Sequence, residues 1–120
     1  MAWTVIYHEA FVPELQAMAE DVQDGLLGKV ELLQVLGPAL GRPQVDTLAG
    51  SRFANMKELR FQAGGGVWRA AFAFDPERNA IILVAGDKAG VGQRRFYKEL
   101  IAKADVRFAR HIEESKGSRS

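Results

Sequence analysis

The chain has 120 residues, 48% of them apolar and 26% charged, the proportions of one domain that buries a core of its own. It contains no cysteine, which excludes disulfide frameworks, thiolate nucleophiles and cysteine-held zinc or iron–sulfur sites. The formal net charge of +1 hides an asymmetry: residues 1–41 hold one base, Lys29, against Glu9, Glu14, Glu20, Asp21, Asp24 and Glu31. The positive charge therefore falls in the later two thirds, which suits a partner made of phosphates. Met1 to Glu9 lacks the basic flank and apolar run of a signal peptide, and no stretch approaches the roughly 20 apolar residues of a membrane span. A cytoplasmic protein that does not engage membranes is expected.

Trp3 to Tyr7 alternates β-branched and aromatic residues as a short strand does. From Glu9 the period changes: Phe11, Leu15, Met18 and Val22 recur at three or four, with Pro13 near the start. Gly25 interrupts this helix, and Leu26, Leu27, Val30, Leu33 and Leu36 continue the stripe until Gly37-Pro38 stops it. Two helices or one bent one are expected. Residues 37–52, with three glycines, two prolines and few periodic apolar positions, read as an ordered connecting loop.

Met56 to Gln62 alternates, placing Lys57, Leu59 and Phe61 on one face and Glu58 and Arg60 on the other. Gly64-Gly65-Gly66 turns the chain into a hairpin partner, Val67 to Asp75, with Trp68, Phe72 and Phe74 opposite Val67, Arg69, Ala71 and Ala73. Asp75-Pro76 fits the start of a type I turn. Ala80 to Ala85 is almost wholly apolar, as a central strand covered on both faces would be. Phe96, Leu100, Ala104, Phe108 and Ile112 mark a C-terminal helix, and residues 116–120 read as a flexible tail after a single domain over 1–115. The expected fold is α+β: a small antiparallel sheet of about four strands, two N-terminal helices and a C-terminal helix, with the helices on one face and the other face free for function.

The segments Asn55-Met56-Lys57-Glu58-Leu59-Arg60, Arg69 and Phe72-Ala73-Phe74-Asp75-Pro76 resemble the RelE/HigB-like toxins of bacterial type II toxin–antitoxin pairs. Gly37-Pro38-Ala39-Leu40-Gly41-Arg42-Pro43, Gly50-Ser51-Arg52 and Ile81-Ile82-Leu83-Val84-Ala85-Gly86-Asp87-Lys88 are similar to the HigB-like branch in particular. The resemblance implies a RelE-like fold with a concave basic face that enters the ribosomal A site. There it would cut messenger RNA by attack of a ribose 2′-hydroxyl on the adjacent phosphate, needing neither metal nor other cofactor. It also implies a cognate helix-turn-helix antitoxin, through which alone the chain would meet operator DNA. The sequence departs from the family after Lys88, where aromatics often precede the last helix and this chain has Ala89-Gly90-Val91-Gly92-Gln93-Arg94-Arg95-Phe96-Tyr97.

Such cleavage needs a base for the 2′-hydroxyl, positive charge around the phosphorane and an acid for the departing 5′-oxygen. Arg60 and Arg69 lie on strands joined by the glycine turn, so a register placing both on the outer face would aim two guanidinium forks at one phosphate. The competing fate of Arg60 is an ion pair with a carboxylate such as Glu58. Lys88 would be a phosphate contact or a base, against the alternative of a solvated turn lysine. Tyr97 is the acid–base candidate by side-chain type, its phenolate favoured if Arg94, Arg95 and Lys88 surround it, against the alternative of core packing. Arg52, Lys57, Arg94 and Arg95 are candidate RNA contacts.

Gly64-Gly65-Gly66 lacks the lysine and helix of a phosphate-binding loop. His8 and His111 lack ligand spacing. Trp3 and Trp68 read as core or interface residues before base-stacking ones. Two other functions remain open on these residues, a gyrase poison of the same fold and a non-catalytic antitoxin-binding module, because a basic face serves all three.

Overall fold

The computed structural model describes residues 2–117. Its centre is set by Gly64 and Gly65, whose φ values of 58° and 79° are the left-handed pair that a two-residue type I′ hairpin turn demands and that glycine adopts without steric cost. The turn joins β3 (Lys57–Ala63) to β4 (Gly66–Phe74). It fixes Ala63 opposite Gly66 and therefore Arg60 opposite Arg69. β5 (Ala80–Asp87) pairs antiparallel with β4 on its other side.

Two features of the sheet differ from the expected four-stranded antiparallel meander. β1 (Val5–Tyr7) runs parallel to β5, and a further strand, β2 (Val45–Thr47), lies inside the stretch read as loop and pairs antiparallel with β3. The sheet is thus five-stranded and mixed, in the order β1-β5-β4-β3-β2. Three residues of β2 are too few to show a period, so nothing in residues 37–52 announces it.

The helices are α1 (Val12–Gln16), α2 (Glu20–Leu36) and α3 (Gln93–Gly117). They do not share one face of the sheet. Val22, Leu26, Val30 and Leu33 of α2 pack on Leu59, Phe61, Ala70, Phe72 and Ile82, whereas Phe96, Leu100, Ala104 and Phe108 of α3 pack on Ala71, Ala73, Ile81, Leu83 and Val84. The physical reason is β5: Ala80 to Val84 are all buried, and a strand apolar on both faces needs cover on both. A register shift of β5 against β4 places Ala71 opposite Val84 and Phe72 opposite Ile82, with Leu83 bulged between them. Leu83 and Val84 consequently both join the α3 core.

The helix break also falls elsewhere than expected. Residues 17–19 separate α1 from α2, with Gln23 Nε2 donating to the Met18 carbonyl at 2.9 Å. Glu20 and Asp21 supply the acidic first turn that favours a helix start. α2 runs unbroken through Gly25 because glycine there permits a close crossing: a Cβ on it would lie 2.7 Å from the Gln62 carbonyl oxygen of β3. α3 includes Lys116 and Gly117, and the rest of the expected tail lies outside the described residues.

Arg107 of α3 ties the two layers around the edge of the sheet. It donates to both carboxylate oxygens of Glu14 on α1, at 2.8 and 2.5 Å, and to the Leu83 carbonyl at 2.7 Å. At the β4–β5 turn, buried Asp75 accepts from the Glu77 and Asn79 amides at 3.0 and 2.8 Å and faces His111 Nε2 at 2.8 Å.

Two α2 glycines give opposite outcomes on substitution. Gly28 has nothing within 4 Å of a built Cβ, so Gly28→Ala gains up to about 1 kcal/mol from helix propensity. Gly25→Ala drives a methyl into backbone and costs about 1–3 kcal/mol net. Thermal unfolding of the two variants reads this directly, with Tm rising in the first and falling in the second.

Candidate active site

α3 covers the outer face of the sheet over β4 and β5 but leaves part of β3 open, and the charged residues of the outer face collect at that boundary. Side chains alternate along β3, so with Leu59 and Phe61 turned into the α2 core, Glu58 and Arg60 point the other way. Arg69 stands directly across from Arg60 on β4. Tyr97 enters from the first turns of α3.

At the centre is Glu58, only 4% exposed. Its Oε1 accepts from the Tyr97 hydroxyl at 2.9 Å and lies 3.4 Å from Arg69 Nε, while its Oε2 accepts from Arg60 Nη2 at 3.2 Å. The Arg69 contact has ion-pair distance without hydrogen-bond alignment, and the Nε atoms of Arg60 and Arg69 are buried with no hydrogen-bond partner. Asp46 of β2 approaches Arg60 Nη2 at 3.8 Å and pairs with Arg42 at 3.2 Å. Lys88, just past β5, places Nζ 6.0 Å from the centre of the Tyr97 ring, and the Arg69 guanidinium lies 5.8 Å from it. A hollow of about 230 Å³ opens beside Arg60, lined by Lys29, Pro43, Gln44, Phe61, Gln62 and Val67.

The electrostatics follow from this packing. Burial pushes the Tyr97 hydroxyl above its ordinary value of 10.0, and its hydrogen bond to Glu58 and that carboxylate's charge push it further, outweighing Arg69 and Arg60. Tyr97 thus keeps its proton at neutral pH, and the condition set for a phenolate, Arg94, Arg95 and Lys88 close around it, is not met. Arg94 and Arg95 do not surround it: both are exposed on α3, and Arg95 pairs with Glu99. Burial works against the charge on Arg60, but Glu58 reverses this and holds its pKa above the usual value.

Of the eight candidate residues, the fold brings together Arg60, Arg69, Lys88 and Tyr97. The other four lie elsewhere. Lys57 shares the α2-facing side of β3 with Leu59. Arg52 lays its guanidinium 5.1 Å over the Phe53 ring and donates its amide to Asp105 at 3.0 Å, eight residues along α3 from Tyr97 and so roughly 12 Å away along its axis. Sequence reasoning treated Glu58 only as a partner that would neutralise Arg60, and did not name Asp46. A carboxylate two positions before an arginine, on the same face of a strand, was the available signal.

The family described as phage-derived protein Gp49-like matches residues 13–109. "Putative toxin HigB2" of Mycobacterium tuberculosis is 46% identical over 99 residues, 82% of this chain and 49% of that protein. The chain therefore spans about half the length of this relative. "Putative toxin HigB3" of the same organism is 48% identical over 91 residues, 76% of this chain and 77% of that protein. Among solved structures, a mutant of the E. coli toxin RelE in the free state shares the fold, with a TM-score of 0.61 at 13% identity over 86% of this chain and 97% of that one.

The raised pKa of Tyr97 has a measurable consequence. Glu58→Gln removes one of its causes, so the phenol titrates at lower pH in that variant, read from phenolate absorbance with Tyr97→Phe as the blank. Because the folded-state value is the raised one, the associated stability is present below pH 10.0 and is lost as pH rises through the folded value. A Tyr97 titration identical in Glu58→Gln would remove Glu58 as a cause.

Proposed function

The chain belongs to the Gp49-like family of HigB-type toxins, and from that premise we propose that it is the toxin of a toxin–antitoxin pair that cuts messenger RNA on the ribosome. The observation that carries this reading is the meeting of Arg60, Arg69, Lys88 and Tyr97 around one point of an otherwise covered sheet. Two guanidiniums opposed across a hairpin, backed by an ammonium, form a socket for one phosphate and stabilise the charge that grows on it during transfer. Tyr97, protonated at neutral pH, is suited to supply the proton that the departing 5′-oxygen needs.

Cleavage proceeds in this reading by attack of the ribose 2′-hydroxyl on the adjacent phosphate, so that the chemistry rests on side chains of the chain itself. The partner is a cognate antitoxin of helix-turn-helix type, which connects the toxin to operator DNA, and the substrate is messenger RNA in the ribosomal A site. Such a role places the protein in the cytoplasm. Among the described residues no helix is long and apolar enough to cross a membrane.

The test is to map RNA ends after brief induction. The expected outcome is growth arrest with cuts inside codons of translated messages. Arg60→Ala and Arg69→Ala each lower cleavage by about 10²-fold or more, the usual cost of removing a group that stabilises transition-state charge. Arrest with DNA damage and whole messages would replace this reading with a gyrase poison. A well-expressed chain causing no arrest would leave a binding module.

A further inference from the structure

The socket holds a group that cationic recognition of a phosphate does not require. Glu58 is almost completely buried between the two arginines that would hold the phosphate, and a carboxylate there weakens their attraction for an anion. The Nε atoms of both arginines are buried without hydrogen bonds beside it, donors that remain available to an incoming acceptor.

The transfer also needs a proton acceptor, and the cluster offers few. Guanidinium groups carry donors only. Tyr97 holds its proton. Lys88 meets the cluster over the Tyr97 ring, 6.0 Å from its centre, rather than between the arginines. Glu58 is the acceptor of the cluster, its Oε1 3.4 Å from Arg69 Nε and its Oε2 3.2 Å from Arg60 Nη2, between the two forks that would hold the phosphate. Resting on the endonuclease reading above, we infer that Glu58 is the general base that takes the 2′-hydroxyl proton, while its contact with Tyr97 couples that base to the acid.

The step balances within the pair. As an incoming phosphate draws the forks of Arg60 and Arg69 to itself, Glu58 Oε2 is released to accept the 2′-hydroxyl proton. The 2′-oxygen forms a bond to phosphorus, the bond from phosphorus to the 5′-oxygen breaks with its electron pair on that oxygen, and the oxygen takes the proton of Tyr97. The products are a 2′,3′-cyclic phosphate and a 5′-hydroxyl. The proton on Glu58 then passes to the Tyr97 phenolate across their 2.9 Å contact, restoring both groups without a metal or an external acid.

Single-turnover cleavage on ribosomes loaded with message tests this with two substrates, an ordinary RNA and one in which sulfur replaces the bridging 5′-oxygen at the cut. A thiolate leaves without a proton, so the sulfur substrate relieves loss of the acid and does nothing for loss of the base. Tyr97→Phe is expected to be slow on the ordinary RNA and to recover on the sulfur one. Glu58→Gln is expected to be slowed about 10²–10⁴-fold on both, with ribosome binding at least as tight as in the unmodified protein because a negative charge has left the socket. Glu58→Asp, which keeps the carboxylate should the amide variant fold poorly, is expected to retain part of the rate. Glu58→Gln at full rate, its recovery on the sulfur substrate, or Glu58→Asp no faster than Glu58→Gln would each overturn the base assignment alone. An unmodified protein that leaves both RNAs whole would overturn the endonuclease reading and the base assignment with it.

Discussion

Two guanidiniums face each other across β3 and β4 with no freedom to slide apart, because the Gly64-Gly65 turn sets Arg60 against Arg69 and the apolar residues between them lock the register. Like charges in directly opposed positions destabilise a sheet. Glu58 is what makes the arrangement tolerable: one buried carboxylate engages both arginines and the Tyr97 hydroxyl. Everything else at the site is arranged around those four side chains; burial raises the pKa of the Tyr97 hydroxyl, and the same carboxylate that permits the cations to coexist raises it further.

The layers serve this point. α2 seals the inner face of β3 with Leu59 and Phe61, which forces Glu58 and Arg60 outward. α3 crosses the outer face over the small side chains of Ala71 and Ala73 and brings Tyr97 to the edge of the cover rather than its middle. Burial there is deep enough to shift ionisation yet leaves Arg60 side-chain exposure at 36%, open to an anion from solution. Arg107 fastens α3 to α1 and to the bulged Leu83 carbonyl, so the helix that carries Tyr97 is tied to both sides of the sheet.

Much of this was legible in the residues. The alternation of Lys57 to Phe61, the hairpin at Gly64-Gly65 and the four-residue stripe from Phe96 to Phe108 each follow from a local period, and local periods survive folding. The pairing of Arg60 with Arg69 does not follow from the residues, since three consecutive glycines leave the register open; the two-residue Gly64-Gly65 turn of the structure decides it. What misled was the placing of all helices on one face: the wholly apolar run from Ala80 to Val84 demands two covered faces, and Ala71 and Ala73, alternating with Phe72 and Phe74, mark the second one. Gly25 looks like a helix break from the residues alone because glycine is a poor helix former. Its reason is a tertiary one, the 2.7 Å approach of the Gln62 carbonyl.

The sequence by itself determined the class of fold, the helical stripes and the alternation that puts Leu59 and Phe61 opposite Glu58 and Arg60, because these depend on periodicity and on turns a few residues long. Only the tertiary structure decided that α3 lies opposite α2, that Arg94 and Arg95 point to solvent while Tyr97 points in, and that Glu58 sits at the centre of the cluster. Those outcomes depend on contacts between residues some 40 positions apart, such as Glu58 with Tyr97, and on the burial such contacts create. No local pattern encodes the desolvation that turns a surface ion pair into a buried acid–base pair.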